Sequence, residues 1–112
     1  LIDQNIAQAR HLSRLVEEEP LFELVAPTSI NIVCFRFRPR GLEKVALKAL
    51  NVEIMLRLQE EGIAALSDTT VHGEHCLRVA VNNHRTRRED LDMLVAETLR
   101  IGTLLAQSQA FG

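Results

Sequence analysis

Two segments of this chain alternate with a strict period of two. In Asn31-Ile32-Val33-Cys34-Phe35-Arg36-Phe37-Arg38, the residues Val33, Phe35 and Phe37 fall on one face and Cys34, Arg36 and Arg38 on the other. From Glu74 to Asn82, Leu77, Val79 and Val81 face one way, and Cys76, Arg78, Ala80 and Asn82 face the other. This pattern predicts two strands with one apolar face each, and an apolar sheet face must be covered. Three helical segments can cover it. The first carries Ile2, Ile6, Ala9, Leu12 and Val16. The second, from Leu42 to Glu61, carries Val45, Ala49, Val52 or Leu50, Ile54 and Leu58. The third carries Leu91, Leu94, Val95, Thr98, Ile101 and Leu105.

Breaks fall where the period changes. Glu17-Glu18-Glu19-Pro20 closes the first helix, because proline disfavours helix at the residue before it. Phe22 to Ala26 is a short alternating strand, and Pro27-Thr28-Ser29 a turn. Pro39-Arg40-Gly41 ends the next strand, and Gly62 sits where a helical C-terminal cap belongs. Ile63 to Val71 is weakly strand-like, and His72-Gly73-Glu74 is a hairpin turn. Thr86-Arg87-Arg88-Glu89 has the spacing of a capping box. The predicted order is α-β-β-α-β-β-α over one domain, residues 1–112. The fold class is α+β, a two-layer sandwich of a mostly antiparallel sheet with helices on one face. The order resembles the split βαβ folds, which host many functions and name none.

Composition narrows the function classes. Thirteen basic and 15 acidic residues give a net charge of −2, without the basic excess of a dedicated nucleic-acid binder. Arg85-Thr86-Arg87-Arg88 is followed by acidic residues and lacks an aromatic stacking platform, so no nucleic-acid partner is expected. No apolar run approaches the ~20 residues of a membrane span, and no membrane partner is expected. His72, His75, Cys76 and His84 lie close in sequence, but neighbours on a strand point to opposite faces, so no metal site is expected. Cys34 and Cys76 read as free thiols in apolar surroundings, and a disulfide between neighbouring strands stays open. Asp68 and Glu74 flank the hairpin and read as turn chemistry. No Gly-rich phosphate loop or Gly-x-Ser-x-Gly elbow occurs.

The second sheet face is unusual. Cys34, Arg36, Arg38, Cys76, Arg78, Ala80 and Asn82 mix arginines with small side chains. That mixture suits a surface covered by another domain, where arginine supplies charge-assisted bonds in a partly dry site. Ordinary solvated strand arginines are the alternative. Such a face also gives an isolated chain a motive for self-association. The chain starts at Leu1 in the middle of an amphipathic pattern, without a cap, and is expected to be cut from something longer.

Glu23 to Phe37 resembles the C-terminal small domain of group II pyridoxal-phosphate-dependent amino-acid decarboxylases. The likeness continues through Leu50-Asn51, Leu58 to Gly62, Leu77 to Thr86 and the last helix to Gly102. The group includes aromatic-amino-acid, glutamate, tyrosine, histidine and 2,4-diaminobutyrate decarboxylases. The resemblance implies a cytoplasmic homodimeric lyase whose small domain helps close the active site on an amino-acid substrate. It implies an upstream large domain that holds pyridoxal phosphate on a lysine in a Ser/Asn-x-His-Lys setting. Lys44 and Lys48 are the chain's lysines, and neither has that setting. The resemblance therefore implies no catalytic, cofactor-binding or metal-binding residue in this chain, no bound pyridoxal phosphate, and no activity of the chain alone. It implies one substrate-binding residue. Arg78, in Leu77-Arg78-Val79, matches the family's strand arginine, which points into the active site and contacts substrate carboxylate in glutamate-specific members. The competing reading is a stand-alone α+β binding or regulatory module without catalysis.

Overall fold

Turn residues cut this chain wherever its hydrophobic period changes, and the computed structural model follows those cuts. It describes residues 2–62, 66–81 and 87–108, with backbone alone for 2–5. Among the described residues the elements run α1 (Ile2–Glu18), β1 (Phe22–Leu24), β2 (Ile32–Phe37), α2 (Lys44–Glu60), β3 (Leu66–Val71), β4 (Glu74–Ala80) and α3 (Arg88–Ala106). This is the α-β-β-α-β-β-α order expected. The Thr86 cap, the strand end at Asn82, His84, Arg85, the side chain of Ile2 and residues 63–65 lie outside the described residues.

The four strands form one sheet in the order β1-β2-β4-β3. Every neighbouring pair is antiparallel. Because β2 and β3 both run against β4, they are parallel to each other. They are joined through α2 with β4 inserted between them, which makes β2-α2-β3 the expected split βαβ unit. The β3–β4 hairpin closes through His72 and Gly73 at φ 50° and 80°. Two successive positive φ values define a turn whose twist matches the flanking strands.

Register decides the faces. Phe22 opposes Phe37, Leu24 opposes Phe35, Val33 opposes Val79, and Phe35 opposes Leu77. These side chains make one continuous apolar face. On it, α1 packs over β1 and β2, α2 over β3 and β4, and α3 lies between α1 and α2 and reaches β2. Phe22 meets Phe35 with ring centroids 5.5 Å apart and Phe37 edge-on at 6.1 Å.

The α3 stripe is close to expectation: Leu91, Leu94, Thr98, Ile101 and Leu105 are buried, Val95 is only partly buried, and Gly102 joins the buried face. Thr98 fits there because its hydroxyl donates to the Leu94 carbonyl at 2.6 Å. The α3 cap differs from expectation. Arg87 is the N-cap, and its N–H donates to Asp90 Oδ2 at 2.9 Å. The expected α2 stripe is corrected more substantially. Val45 is 82% exposed, and Ala49 is also exposed. The buried residues are Leu47, Leu50, Asn51, Ile54, Met55 and Leu58. An apolar-only reading skips Asn51, and with it the true inward face.

Asn51 is 1% exposed, and its contacts explain the burial. The Phe37 N–H donates to Asn51 Oδ1 at 2.9 Å, and Asn51 Nδ2 donates to the Phe37 carbonyl at 2.9 Å and to the Leu47 carbonyl at 3.0 Å. The β2–β4 ladder ends at Phe35 and Leu77. Asn51 thus takes over the backbone groups of β2 where β4 no longer pairs with them.

Candidate functional site on the helix-free sheet face

Alternation carries the other residues of each strand to the face without helices. Across it, Glu23 of β1 opposes Arg36 of β2, Cys34 of β2 opposes Arg78 of β4, and Arg78 opposes Ser67 of β3. Thr69 opposes Cys76 in the next register.

The arginines that look equivalent in sequence separate here. Arg36 is a cross-strand clamp. Its Nε and Nη2 approach Glu23 Oε1 at 2.7 Å each, and Nη1 donates to Glu74 Oε2 at 2.9 Å. Its side chain is only 9% exposed. Burial pulls its pKa down, but bonds to Glu74 and Glu23 outweigh that and hold it above the ordinary value. Arg36 in turn holds the Glu74 carboxyl below its usual range. Arg38 is exposed and donates to Glu23 Oε2 at 2.8 Å. Arg78 is half-buried at the centre of the face. Among the described residues it has no carboxylate at ion-pair distance, whereas Arg36 has two. Register thus places Arg78 between two residues with small side chains, Cys34 and Ser67, and its donor fork is free of any described carboxylate.

Both thiols are free. Cys76 is fully buried although it lies on this face. Burial and the adjacent Cys34 thiol push its pKa up to about 11, so it is held as a neutral thiol. His75 and Cys76 take opposite faces as expected, His75 turning under α2 and bonding Asp68 Oδ2 through Nε2 at 3.0 Å. Asp68 and Glu74 therefore serve different partners. Among the described residues, no group of His, Cys, Asp and Glu side chains could hold a metal ion. Arg88 is exposed and lies 3.3 Å from His11 Nδ1, and His11 Nε2 lies 2.7 Å from Asp92, a link between α1 and α3.

The residues present do not fit pyridoxal phosphate. Lys44 and Lys48 are exposed on α2. They flank a pocket of about 160 Å³. That is below the ~300–1,000 Å³ of clefts that enclose drug-sized ligands. Sequence reasoning missed the Glu23–Arg36–Glu74 clamp and the roles of Asn51 and His75. Glu23 did carry a signal, since it alternates with Phe22 and Leu24 and so points away from the core.

No protein-family model matches the chain. Tryptophan decarboxylase 2 of Oryza sativa subsp. japonica is 31% identical over 91 residues, which is 81% of this chain and 18% of that protein. A crystal structure of Oryza sativa TDC with PLP and tryptamine superposes with a TM-score of 0.84 at 27% identity, covering 93% of this chain and 23% of the other. The glutamate decarboxylase domain of the diaminobutyrate-pyruvate transaminase and L-2,4-diaminobutyrate decarboxylase of Vibrio parahaemolyticus gives a TM-score of 0.78 at 25% identity. It covers 91% of this chain and 21% of that one. These relatives are group II pyridoxal-phosphate-dependent amino-acid decarboxylases, as the resemblance implies. The chain spans about a fifth of the length of the relatives it matches. Among the described residues, no helix is long and apolar enough to cross a membrane.

Proposed function

We propose that this chain, related over most of its length to group II pyridoxal-phosphate-dependent amino-acid decarboxylases, is the C-terminal small domain of such a lyase and orients the substrate carboxylate through Arg78. The observation that carries the reading is the position of Arg78. It stands half-buried on the helix-free face with no described carboxylate partner, while its neighbour Arg36 is tied to two. A guanidinium in that state presents a planar fork that matches a carboxylate with two parallel N–H···O bonds. Small neighbours, Cys34 and Ser67, leave room for a ligand to approach.

The upstream large domain holds the cofactor and covers this face, and a homodimer completes the enzyme. This chain contributes orientation and exclusion of water. Fixing the carboxylate fixes the bond to be broken relative to the rest of the substrate, and positioning of this kind lowers the barrier without a catalytic side chain on this domain. The free thiols Cys34 and Cys76 accord with a cytoplasmic enzyme. The substrate is an L-amino acid, with the pocket for its side chain outside this chain.

Arg78→Lys in the protein at its natural length tests the reading. Lysine keeps the charge and loses the fork. The expected result is a fall in kcat/KM of at least ~10-fold, the cost of about one charge-assisted bond, with unchanged thermal stability. Unaltered kinetics would overturn the assignment.

A further inference from the structure

The two cysteines take no part in the proposed chemistry, yet they come together on the helix-free face. Cys34 of β2 opposes Arg78 of β4, and Cys76 is the next residue of β4 on the same face. The two are therefore diagonal neighbours on adjacent strands. Both are free, and their thiols hydrogen-bond to each other. Their surroundings differ. Cys76 is sealed from solvent, whereas Cys34 is half-buried.

Access and geometry give the pair unequal roles. Arg78 stands across from Cys34 and is itself half-buried, so a small solute that reaches the guanidinium also reaches the Cys34 sulfur. Cys76 is open only to what Cys34 has become. Diagonal neighbours in an antiparallel pair stand ~7–8 Å apart at Cα. A disulfide needs that distance at or below about 7 Å, so closing one draws β2 and β4 slightly together. The ladder between these strands ends at Phe35 and Leu77, which leaves Cys76 one residue past its last pair. A bridge closed at the expense of a strand displacement is readily reduced again. It acts as a switch in a reducing compartment rather than as a permanent staple.

We propose that Cys34 and Cys76 form a reversible disulfide, with Cys34 meeting a hydroperoxide oxidant and Cys76 resolving it, and that closure displaces Arg78 and slows the enzyme. In the first step the Cys34 sulfur attacks a peroxide oxygen and the O–O bond breaks. Cys34 becomes a sulfenic acid, and the departing oxygen leaves as water with the thiol proton. In the second, the Cys76 sulfur attacks the Cys34 sulfur and the S–O bond breaks. The leaving hydroxide takes the Cys76 proton as a second water. Two thiols are oxidised, one peroxide is reduced, and a thiol reductant reverses the bond. The bond itself does not depend on the decarboxylase reading; its effect on activity rests on that reading.

Hydrogen peroxide is the probe, applied to the protein at its natural length. Tryptic mapping without reductant is expected to show two joined peptides, one ending at Arg36 and the other at Arg78, two hydrogens lighter than their sum. Dithiothreitol is expected to separate them. In Cys76→Ser the sulfenic acid persists on Cys34 and is captured by dimedone. In Cys34→Ser the adduct at Cys76 is expected to be at least ~10-fold weaker, because the sealed sulfur does not meet peroxide. Oxidation of the unaltered protein is expected to lower kcat/KM at least ~10-fold through misplacement of Arg78, reversibly with dithiothreitol. Cys34→Ser is expected to keep the same activity before and after peroxide. Absence of the joined peptides, or equal dimedone capture at the two cysteines, overturns the pair. Joined peptides with unchanged kinetics overturn the switch if Arg78→Lys impairs the same enzyme. If Arg78→Lys is silent as well, the carboxylate reading fails and the disulfide stands without it.

Discussion

A buried polar side chain is tolerated when every one of its bonding groups is used, and Asn51 shows how that fixes a local structure. Its amide takes both backbone groups of Phe37 and the Leu47 carbonyl. Leucine at 51 matches the volume roughly but bonds nothing. The Phe37 N–H and carbonyl would be left unpaired in the core, at a cost of about 1–3 kcal/mol each. Urea denaturation of Asn51→Leu is therefore expected to show a loss of ~2–5 kcal/mol, despite the added apolar surface. A neutral or stabilising effect would mean that Asn51 merely fills space. The sequence carried little of this. Asn51 stands out in the sequence only within the family likeness, and an apolar stripe that omits it includes Val45 and Ala49, which face solvent. Arg36 and Arg78 were equally opaque. The partners that distinguish them lie 13 residues before Arg36, at Glu23, and 38 after it, at Glu74. Alternation places an arginine on a face, but it does not show which distant carboxylate will meet it.

Elements are where the sequence spoke most clearly. A strand of period two and a helix of period 3.6 are local properties, and β2, β4 and α3 were legible because one apolar face of each is unbroken. What locality does not reveal is how closely elements approach. Gly102 lies within the C-terminal half of α3, where glycine in a helix interior costs about 1 kcal/mol relative to alanine. A Cβ there would stand 2.8–2.9 Å from three ring carbons of Phe37. Phe37 is 1% exposed and held edge-on by Phe22, so the ring has little room to retreat. Gly102→Ala is thus expected to destabilise by about 1–3 kcal/mol, overpacking outweighing the gain in helix propensity. Phe37→Leu in the same chain is expected to recover part of that loss, and a double-mutant cycle measures the coupling. Additive effects would show that α3 does not lean on this ring.

At the scale of the whole molecule, the radius of gyration of 13.3 Å is that of one compact domain of this size. Among the described residues, the large exposed apolar side chains are Ile30, Val45, Leu56, Met93 and Leu104, scattered over a loop and the outer surfaces of α2 and α3. The helix-free face is of another kind. It presents Arg78, Cys34 and Ser67, with Cys76 sealed beneath. A surface of that composition is recognised through hydrogen bonds rather than apolar area, and what it recognises must bring the complementary acceptors. On the proposed function those acceptors are the substrate carboxylate and the domain that holds the cofactor. The division of labour has a measurable consequence. With pyridoxal phosphate and an aromatic L-amino acid, the 112-residue chain alone is expected to release carbon dioxide no faster than the free cofactor does. The protein at its natural length is expected to accelerate that release and to depend on Arg78. Acceleration by the short chain alone would show that it contains the catalytic lysine's equivalent. Lys44 and Lys48, both exposed on α2, would then be the residues to substitute first.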